Sequence, residues 1–470
     1  MKKIVIKKVL AGFLLLGITQ SCKLTKDYKR PELNLPTAYE NTLITNTSAN
    51  ENIVEIPSYQ QFFYDPILIE ILDQVMANNP DLNSASERVL ASEALLKSVK
   101  LNYLPELNLQ VTASTQRFSE NSTIGTTTSN LSQNEFNLAP TVSWEIDFWG
   151  KLKRQREEAL TTYLSQEENC RALRIQLITQ AAQAYYNLLS LDAQLRITQD
   201  VEKSMKETLM MLQVQHAVGD VSSLAIKQAE AQLAEARALI PEIKGSIKGQ
   251  ENALQTLAGS YPASVNRVSS LTTSNFSTSV EIGVPADLLK NRPDVKQQEL
   301  LLQAANARVG IAKAQFYPNL TITGQGGLNA LKASDWFSIP ASLFGITTGG
   351  ITQPLFNKRR IKSNYQQALH LREAAVHEFR KSVVVALEEV STSLSNISYI
   401  KDQVLEVNKR KMSMDKAIID AQMLYQYGEA NYLEVLTVQQ SYFQTELAHI
   451  IAMQKEVNAY LVLYKSLGGN

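Results

Sequence analysis

Apolar and polar residues alternate along four short stretches of the chain, and this alternation predicts four β-strands. In the first stretch Leu107, Leu109 and Val111 lie on one face, while polar residues occupy the other. Alternation with period two is typical of a strand that has one apolar face. A loop rich in serine, threonine and asparagine separates the first two stretches, as expected for a hairpin. The predicted strands are about 107–115, 136–148, 320–328 and 342–355.

Two much longer stretches predict helices. Residues 151–217 contain neither proline nor glycine, and 360–427 is their counterpart in the second half. A helix of this length extends on the order of 100 Å at about 1.5 Å per residue, which favours a long helical array over a globular core. A glycine turn, at Gly219 or Gly428, ends each long helix. Further helices, about half as long, are predicted over 67–102 (with a new segment at Pro80), 222–258, 285–315 and 431–467.

These elements occur in the same order twice, which indicates an internal duplication. The stretch from Asn78 to Leu107 aligns without a gap with the stretch from Asn291 to Leu320, and both prolines recur at the same spacing. We therefore expect one architecture built from two similar halves. The expected division is a signal peptide at 1–21, a linker at 22–66, a first repeat at 67–258, a linker at 259–285 and a second repeat at 286–470.

The first residues have the pattern of a secretory signal. Several lysines precede an apolar core at 9–18, which is too short to span a membrane as a mature helix. We interpret Cys22 as the lipidated first residue of a lipoprotein, although the residues before it match the usual lipobox loosely. An ordinary signal peptide is the alternative. Firm anchoring would need a multiply acylated Cys22, because one acyl chain binds membranes only marginally. The other cysteine, Cys170, is predicted to be a small packed residue.

The composition argues against several classes of function. The 46 basic and 46 acidic residues balance to a net charge of zero, so nothing favours a nucleic-acid partner. His370 and His377 can share a helix face, but without a third ligand at metal spacing we predict ordinary surface residues. No HExxH sequence, phosphate-binding glycine loop or nucleophile elbow occurs. We therefore predict that the protein is not an enzyme and has no metal or cofactor.

The strand count bears on assembly. Each predicted strand is about as long as a tilted strand needs to be to cross a bilayer. Four strands cannot close a barrel, and open sheet edges are not tolerated in lipid, so strands must be shared between subunits. Three chains related by cyclic symmetry would supply twelve strands. A structural periplasmic coiled-coil protein is an alternative, but it would not explain two paired alternating stretches at matching positions.

Several motifs, taken together, resemble the TolC-like outer-membrane efflux protein family, in particular the lipoprotein branch that works with resistance-nodulation-division pumps. The resemblance covers nearly the whole mature chain. The motifs are specific in combination and not singly. They are Asp27-Tyr28-Lys29-Arg30-Pro31, the Pro-Asp pairs that begin two helices, Phe148-Trp149-Gly150-Lys151-Leu152, and the ending Leu463-Tyr464-Lys465-Ser466-Leu467-Gly468-Gly469.

This resemblance implies a mainly α fold with two β-strands in each half. It implies a homotrimer with a twelve-stranded outer-membrane barrel, four strands per chain, that continues as a long α-helical barrel through the periplasm. The two linkers would belong to an equatorial girdle. The implied function is a passive exit channel, which carries drugs, dyes and other toxic small molecules from an inner-membrane pump and a periplasmic adaptor to the exterior. Type I protein or peptide secretion and metal-ion efflux remain alternatives, because the same fold serves each cargo.

The resemblance also assigns roles to residues at the two turns. The turns match the periplasmic tips where the adaptor docks, although their glycines could simply permit tight turns. The tip residues are Val218, Gly219, Asp220, Val221 and Ser222, with Gly428, Glu429, Ala430, Asn431 and Tyr432. The periplasmic gate of the family maps to Leu433, Thr437 and Gln440. Thr437 and Gln440 replace an aspartate and an arginine that are frequent there, and Glu434 is either a substitute charge or a solvated residue.

Overall fold

The computed structural model describes residues 26–33, 35–36, 57–127, 131–267 and 288–469. The predicted signal peptide, the lipidation at Cys22, and most of the linkers at 22–66 and 259–285 lie outside the described residues. The helices are α1 Tyr59–Phe62, α2 Pro66–Asn78, α3 Pro80–Leu101, α4 Lys151–Ala217, α5 Ser223–Leu257, α6 Leu288–Asn291, α7 Pro293–Ala314, α8 Arg360–Gln426 and α9 Tyr432–Ser466. The strands are β1 Glu106–Arg117, β2 Ser132–Ile146, β3 Asn319–Ala330 and β4 Leu343–Thr352.

The element lengths confirm the predicted duplication. Both long helices, α4 and α8, have 67 residues. Helices α5 and α9 have 35 residues each, and α3 and α7 have 22 each. Across the described ranges no helix combines the length and the apolar character that a membrane span requires.

The four strands form one antiparallel sheet in the order β1-β2-β3-β4. The two predicted hairpins are confirmed, since Leu107 pairs with Val142 in the first and Leu320 pairs with Ile351 in the second. The sequence did not reveal that β2 also pairs with β3, for example Trp144 with Ile322. This contact joins the two halves of the duplication within one sheet.

The predicted helix over 285–315 is interrupted in the part that the structure describes. Helix α6 ends at Asn291 and α7 begins at Pro293. Proline lacks a backbone N–H and disfavours the helical conformation in the residue before it, so Arg292 separates the two helices. The second predicted strand is also displaced, since β2 runs over 132–146 and not 136–148.

The described residues fall into two compact units, and the first contains the sheet. It comprises residues up to Glu32, Leu90–Ser165 and Gln298–Glu378. Within it, the segment that follows the predicted signal is tied to a helix of each repeat. Arg30 donates two hydrogen bonds of 2.7 Å to the carboxylate of Glu299 in α7. Arg154 in α4 donates to Asp27 at 3.0 Å.

The second unit comprises Leu33–Val89, Gln166–Gln297 and Phe379–Asn470. Its aromatic core includes Phe62, Phe63 and Tyr464, which are at most 1% exposed. Asp65 caps α2, since its Oδ1 accepts hydrogen bonds from the Ile67 and Leu68 backbone N–H groups. These contacts explain why a proline can begin the helix at the next residue.

The duplication extends to one pair of buried polar contacts in the second unit. Asn79, just before Pro80, donates from its amide to the carbonyl of Leu257 at 2.8 Å, at the end of α5. Arg292, just before Pro293, donates to the carbonyl of Ser466 at 3.0 Å, at the end of α9. In each repeat, the residue before a helix-starting proline thus satisfies a carbonyl at the end of a later helix.

Candidate functional site

The two predicted turns have the same backbone geometry. Gly219 and Gly428 have φ values of +90° and +74°, in the left-handed region. The Asp220 N–H donates to the Gln215 carbonyl at 2.9 Å, and the Glu429 N–H donates to the Leu424 carbonyl at 2.9 Å. This hydrogen bond and a left-handed glycine are typical of the Schellman C-cap. Both long helices therefore end in the same type of glycine C-cap.

The helices that leave the turns begin differently. Asn431 caps α9, because its side chain accepts from the Glu434 N–H while the Glu434 carboxylate accepts from the Asn431 N–H, each at 3.1 Å. Ser222 occupies the corresponding position before α5 but makes no capping hydrogen bond. Glu434 is exposed, and its carboxylate stabilises the start of α9.

Side chains from both turns pack together in one cluster of the second unit. Leu212 of α4, Ala229 of α5, and Tyr432 and Leu436 of α9 are buried against one another. The Tyr425 hydroxyl donates to Gln215 Oε1, which links α8 to α4. The structure thus brings together the two sets of residues that the sequence placed about half the chain apart.

A groove of about 530 Å³ lies over this cluster, and both turns line it. Asp220, Val221 and Ser222 line it from the first turn, and Gly428, Ala430 and Asn431 line it from the second. Large apolar side chains near the groove are exposed: Val218 by 70%, Leu224 by 64%, Tyr427 by 76% and Leu433 by 56%. Exposed apolar residues that form one patch are typical of surfaces that contact another protein, a membrane or a ligand.

The three predicted gate residues share one exposed face of α9. Leu433, Thr437 and Gln440 are all exposed, and their spacing places them on successive turns of the helix. The Thr437 hydroxyl donates to the Leu433 carbonyl at 2.8 Å, so it is already satisfied within the helix. The exposed face therefore carries an apolar and two uncharged polar side chains.

Sequence reasoning missed the residues that hold the turns in place. His216 Nδ1 lies 2.7 Å from the Val221 carbonyl across the first turn. Gln215 and Tyr425 connect the two long helices. Helical periodicity counted back from each glycine would have placed these residues near the turn, but it could not have paired them.

The described residues contain no group of three or more histidine, cysteine or acidic side chains that could hold a metal ion. His370 and His377 are exposed on α8, as predicted. Cys170 is half-buried, with its Sγ 3.9 Å from the Ser86 hydroxyl.

Comparison with known proteins decides the family. The model of the outer membrane efflux protein family matches residues 71–260 and 284–469. The chain belongs to this family. The resemblance seen in the sequence is therefore confirmed. Family members are trimeric outer-membrane channels that work with an adaptor and an inner-membrane pump, and they are not enzymes.

Individual relatives align with the chain over nearly its full length. The chain is 28% identical over 466 residues to the cation efflux system protein CusC of Escherichia coli K12, covering 98% of this chain and 99% of the relative. It is 28% identical over 462 residues to the toluene efflux pump outer membrane protein TtgI of Pseudomonas putida, covering 97% of each. A crystal structure of a membrane protein from Pseudomonas aeruginosa matches with a TM-score of 0.87, 24% identity, and coverage of 95% of this chain and 100% of that one. The mainly helical fold with a four-stranded antiparallel sheet is thus confirmed.

Replacing Gly428 of the channel by alanine is expected to destabilise the second turn by about 1 kcal/mol, because an L side chain is strained at positive φ. The proposed measurement is hydrogen exchange of the backbone amides around residue 428. Gly245, inside α5, is the matched control, since nothing lies within 4 Å of a Cβ built there. Gly245→Ala should leave the turn unchanged, and equal exchange in both variants would contradict the prediction.

The two helix starts are expected to respond differently to loss of the cap residue. Asn431→Ala should cost about 1 kcal/mol, because it removes a capping hydrogen bond, whereas Ser222→Ala should change stability little. Urea unfolding of the two purified variants tests this difference. A larger loss for Ser222→Ala than for Asn431→Ala would show that the capping contacts do not govern the helix starts.

Proposed function

We propose that this channel is the outer-membrane exit duct of a tripartite efflux system driven by a resistance-nodulation-division pump. It carries drugs, dyes and other small toxic molecules outwards, and the inner-membrane partner supplies the energy. The family relationship and the toluene efflux pump relative TtgI support this cargo class. The groove and the exposed apolar side chains at the two turns carry the proposal, because a duct of this kind needs a surface where an adaptor docks.

We infer that the adaptor docks at Val218–Ser222 and Gly428–Tyr432. The acidic side chains of Asp220 and Glu429 flank the apolar residues, so the surface suits an adaptor hairpin that presents apolar residues with basic neighbours. Leu433, Thr437 and Gln440 form the constriction that shifts when the partner binds. Their exposed positions on one face of α9 support this role.

We also propose that the protein is anchored in the outer membrane by an acylated Cys22, and that three copies close one twelve-stranded barrel. Strand β1 supports the membrane placement, since Leu107, Leu109 and Val111 are at least 58% exposed and lie on one face. An exposed apolar face of alternating residues is what a lipid-facing strand requires. Strands β1 and β4 are the edges of the four-stranded sheet, and adjacent copies would pair there.

Metal-ion efflux is the second candidate function. The relative CusC, a cation efflux system protein, matches the chain over nearly its full length and at the same identity as TtgI. Deletion of the gene distinguishes the two cargo classes. Higher retention of lipophilic dyes with unchanged tolerance of transition-metal salts would support the first candidate, and the reverse would support the second.

Site-specific photo-crosslinking in cells tests the docking surface. A photoreactive residue replaces Asp220 or Ala430, and mass spectrometry identifies the captured proteins. Lys244, exposed on α5 and remote from the turn in sequence, is the control position. The proposal predicts capture of an adaptor that is encoded with a proton-driven pump at both tip positions.

Two outcomes would change this assignment. Capture of an adaptor that belongs to an ATP-driven exporter would favour protein or peptide secretion. Crosslinking of the adaptor at Lys244 alone would show that the docking surface lies away from the two turns.

A further inference from the structure

A cavity of about 150 Å³ lies in the second unit between three helices, and none of its lining residues belongs to either turn. Ile197, Val201 and Met205 of α4 and Ile418 of α8 form its apolar wall. An apolar protein cavity of about 150 Å³ accepts a benzene ring. The cavity therefore has room for one ring-sized group, and the family assignment gives it no role.

Polar atoms without protein partners face this cavity. Gln439 of α9 is only 7% exposed and donates from Nε2 to Thr208 Oγ1 at 3.3 Å. Across the described ranges, no hydrogen bond reaches the Gln439 carbonyl oxygen. Asp200, which also lines the cavity, makes no ion pair or hydrogen bond within the same ranges. The Gln439 carbonyl oxygen and the free Asp200 carboxylate are both hydrogen-bond acceptors, so they fit a ligand that donates.

The charges around the cavity are mainly negative. Lys411 forms an ion pair with Glu446 and lies 3.6 Å from Asp415, so its positive charge is already shared between two carboxylates. Asp200 adds a third carboxylate. Burial raises the pKa of the Tyr442 hydroxyl in the lining, and the carboxylates of Asp415 and Asp200 raise it further. This field favours a cation over an anion.

The neighbouring histidine does not reverse this balance. Burial lowers the pKa of the His449 imidazole, and the Lys411 ammonium lowers it further, while Asp415 opposes the change. Near neutral pH His449 therefore remains uncharged.

We propose that this cavity binds a small organic ammonium ion whose apolar part is about the size of one aromatic ring. The ammonium group donates to the carboxylate of Asp200 and to the carbonyl oxygen of Gln439. The ring packs against Ile197, Met205 and Ile418. This binding is separate from the docking surface, and a ligand held between three helices would stabilise their packing.

Calorimetric titration of the purified full-length channel tests the proposal with benzylammonium as the probe. Benzyl alcohol and benzoate are neutral and anionic probes of similar shape. Benzylammonium should bind saturably, and at least about tenfold more tightly than either control, because a hydrogen bond between charged groups is worth about that factor. Similar affinities for benzylammonium and benzyl alcohol, or no saturable heat, would overturn the proposal.

Two cavity variants and one control outside the cavity assign the binding. Asp200→Asn should weaken benzylammonium about tenfold, and since Asp200 is exposed the change should leave the fold intact. Glu207→Gln removes the same charge from an exposed residue of the same helix outside the cavity, and it should leave the affinity unchanged. Gln439→Met, which removes the carbonyl, should also weaken binding. If Asp200→Asn and Glu207→Gln weaken benzylammonium binding equally, the attraction comes from general surface charge, and the proposed site is refuted.

Discussion

Replacing Phe62 by alanine is expected to lower the free energy of unfolding by about 4 kcal/mol, as removal of a buried phenylalanine commonly does. The Phe62 side chain is 0% exposed, and its ring stacks on Tyr464 with 4.5 Å between centroids. It also meets Phe63 edge-on at 4.9 Å. Truncation would therefore leave a cavity and remove two aromatic pairs. Urea unfolding followed by circular dichroism measures the loss.

Tyr64 provides the matched control for this prediction. It lies two positions further along the chain and is 60% exposed. Tyr64→Ala removes an aromatic ring of similar size from the surface, and we expect its effect to stay within about 0.5 kcal/mol. Comparable losses for the two variants would mean that packing around α1 does not stabilise the second unit.

Replacing Arg292 by methionine is expected to cost about 2 kcal/mol, because it removes the hydrogen bonds of a buried guanidinium and leaves the buried Ser466 carbonyl without this donor. The Arg292 side chain is 6% exposed and pairs with Asp294 and Glu389, each at 2.6 Å. It also donates to the Ser466 carbonyl. Burial alone would lower the pKa of Arg292, but these partners raise it above its ordinary value. The guanidinium is therefore more stable as a cation in the folded protein.

Two further variants separate charge from geometry at this position. Arg292→Lys keeps the charge but lacks the planar fork that reaches three acceptors, so its loss should be intermediate. Arg410→Met removes an exposed arginine of α8 and should change the free energy of unfolding little. A lysine variant as unstable as the methionine variant would show that hydrogen-bond geometry, and not charge, stabilises the network.

Local signals predicted the secondary structure well. Proline and glycine end helices for steric reasons that act within a few residues, so Pro80, Gly219 and Gly428 placed helix ends close to those observed. Period-two alternation placed the four strands to within a few residues. Pro293 carried the same kind of signal and its Pro-Asp pair was recognised as a helix start, but the helical pattern over 285–315 was still predicted as one uninterrupted helix.

The candidate site was predictable only in part. The matching turns and their family motifs identified Gly219 and Gly428, because a left-handed C-cap leaves a glycine in the sequence. Ser222 and Asn431 are equally good cap residues by type, yet only Asn431 forms the capping contacts. The difference depends on side-chain orientation, which residue type alone does not specify.

The sequence by itself determined the order, type and approximate length of the elements, the internal duplication, and the family to which the channel belongs. Only the tertiary structure decided that β2 pairs with β3, that Tyr425 meets Gln215, and that Gln439 faces a cavity with Asp200. The physical reason is the range of the interactions. Helix ends and strand alternation depend on neighbours along the chain, whereas these contacts join residues far apart in sequence whose distance depends on how whole helices and strands pack.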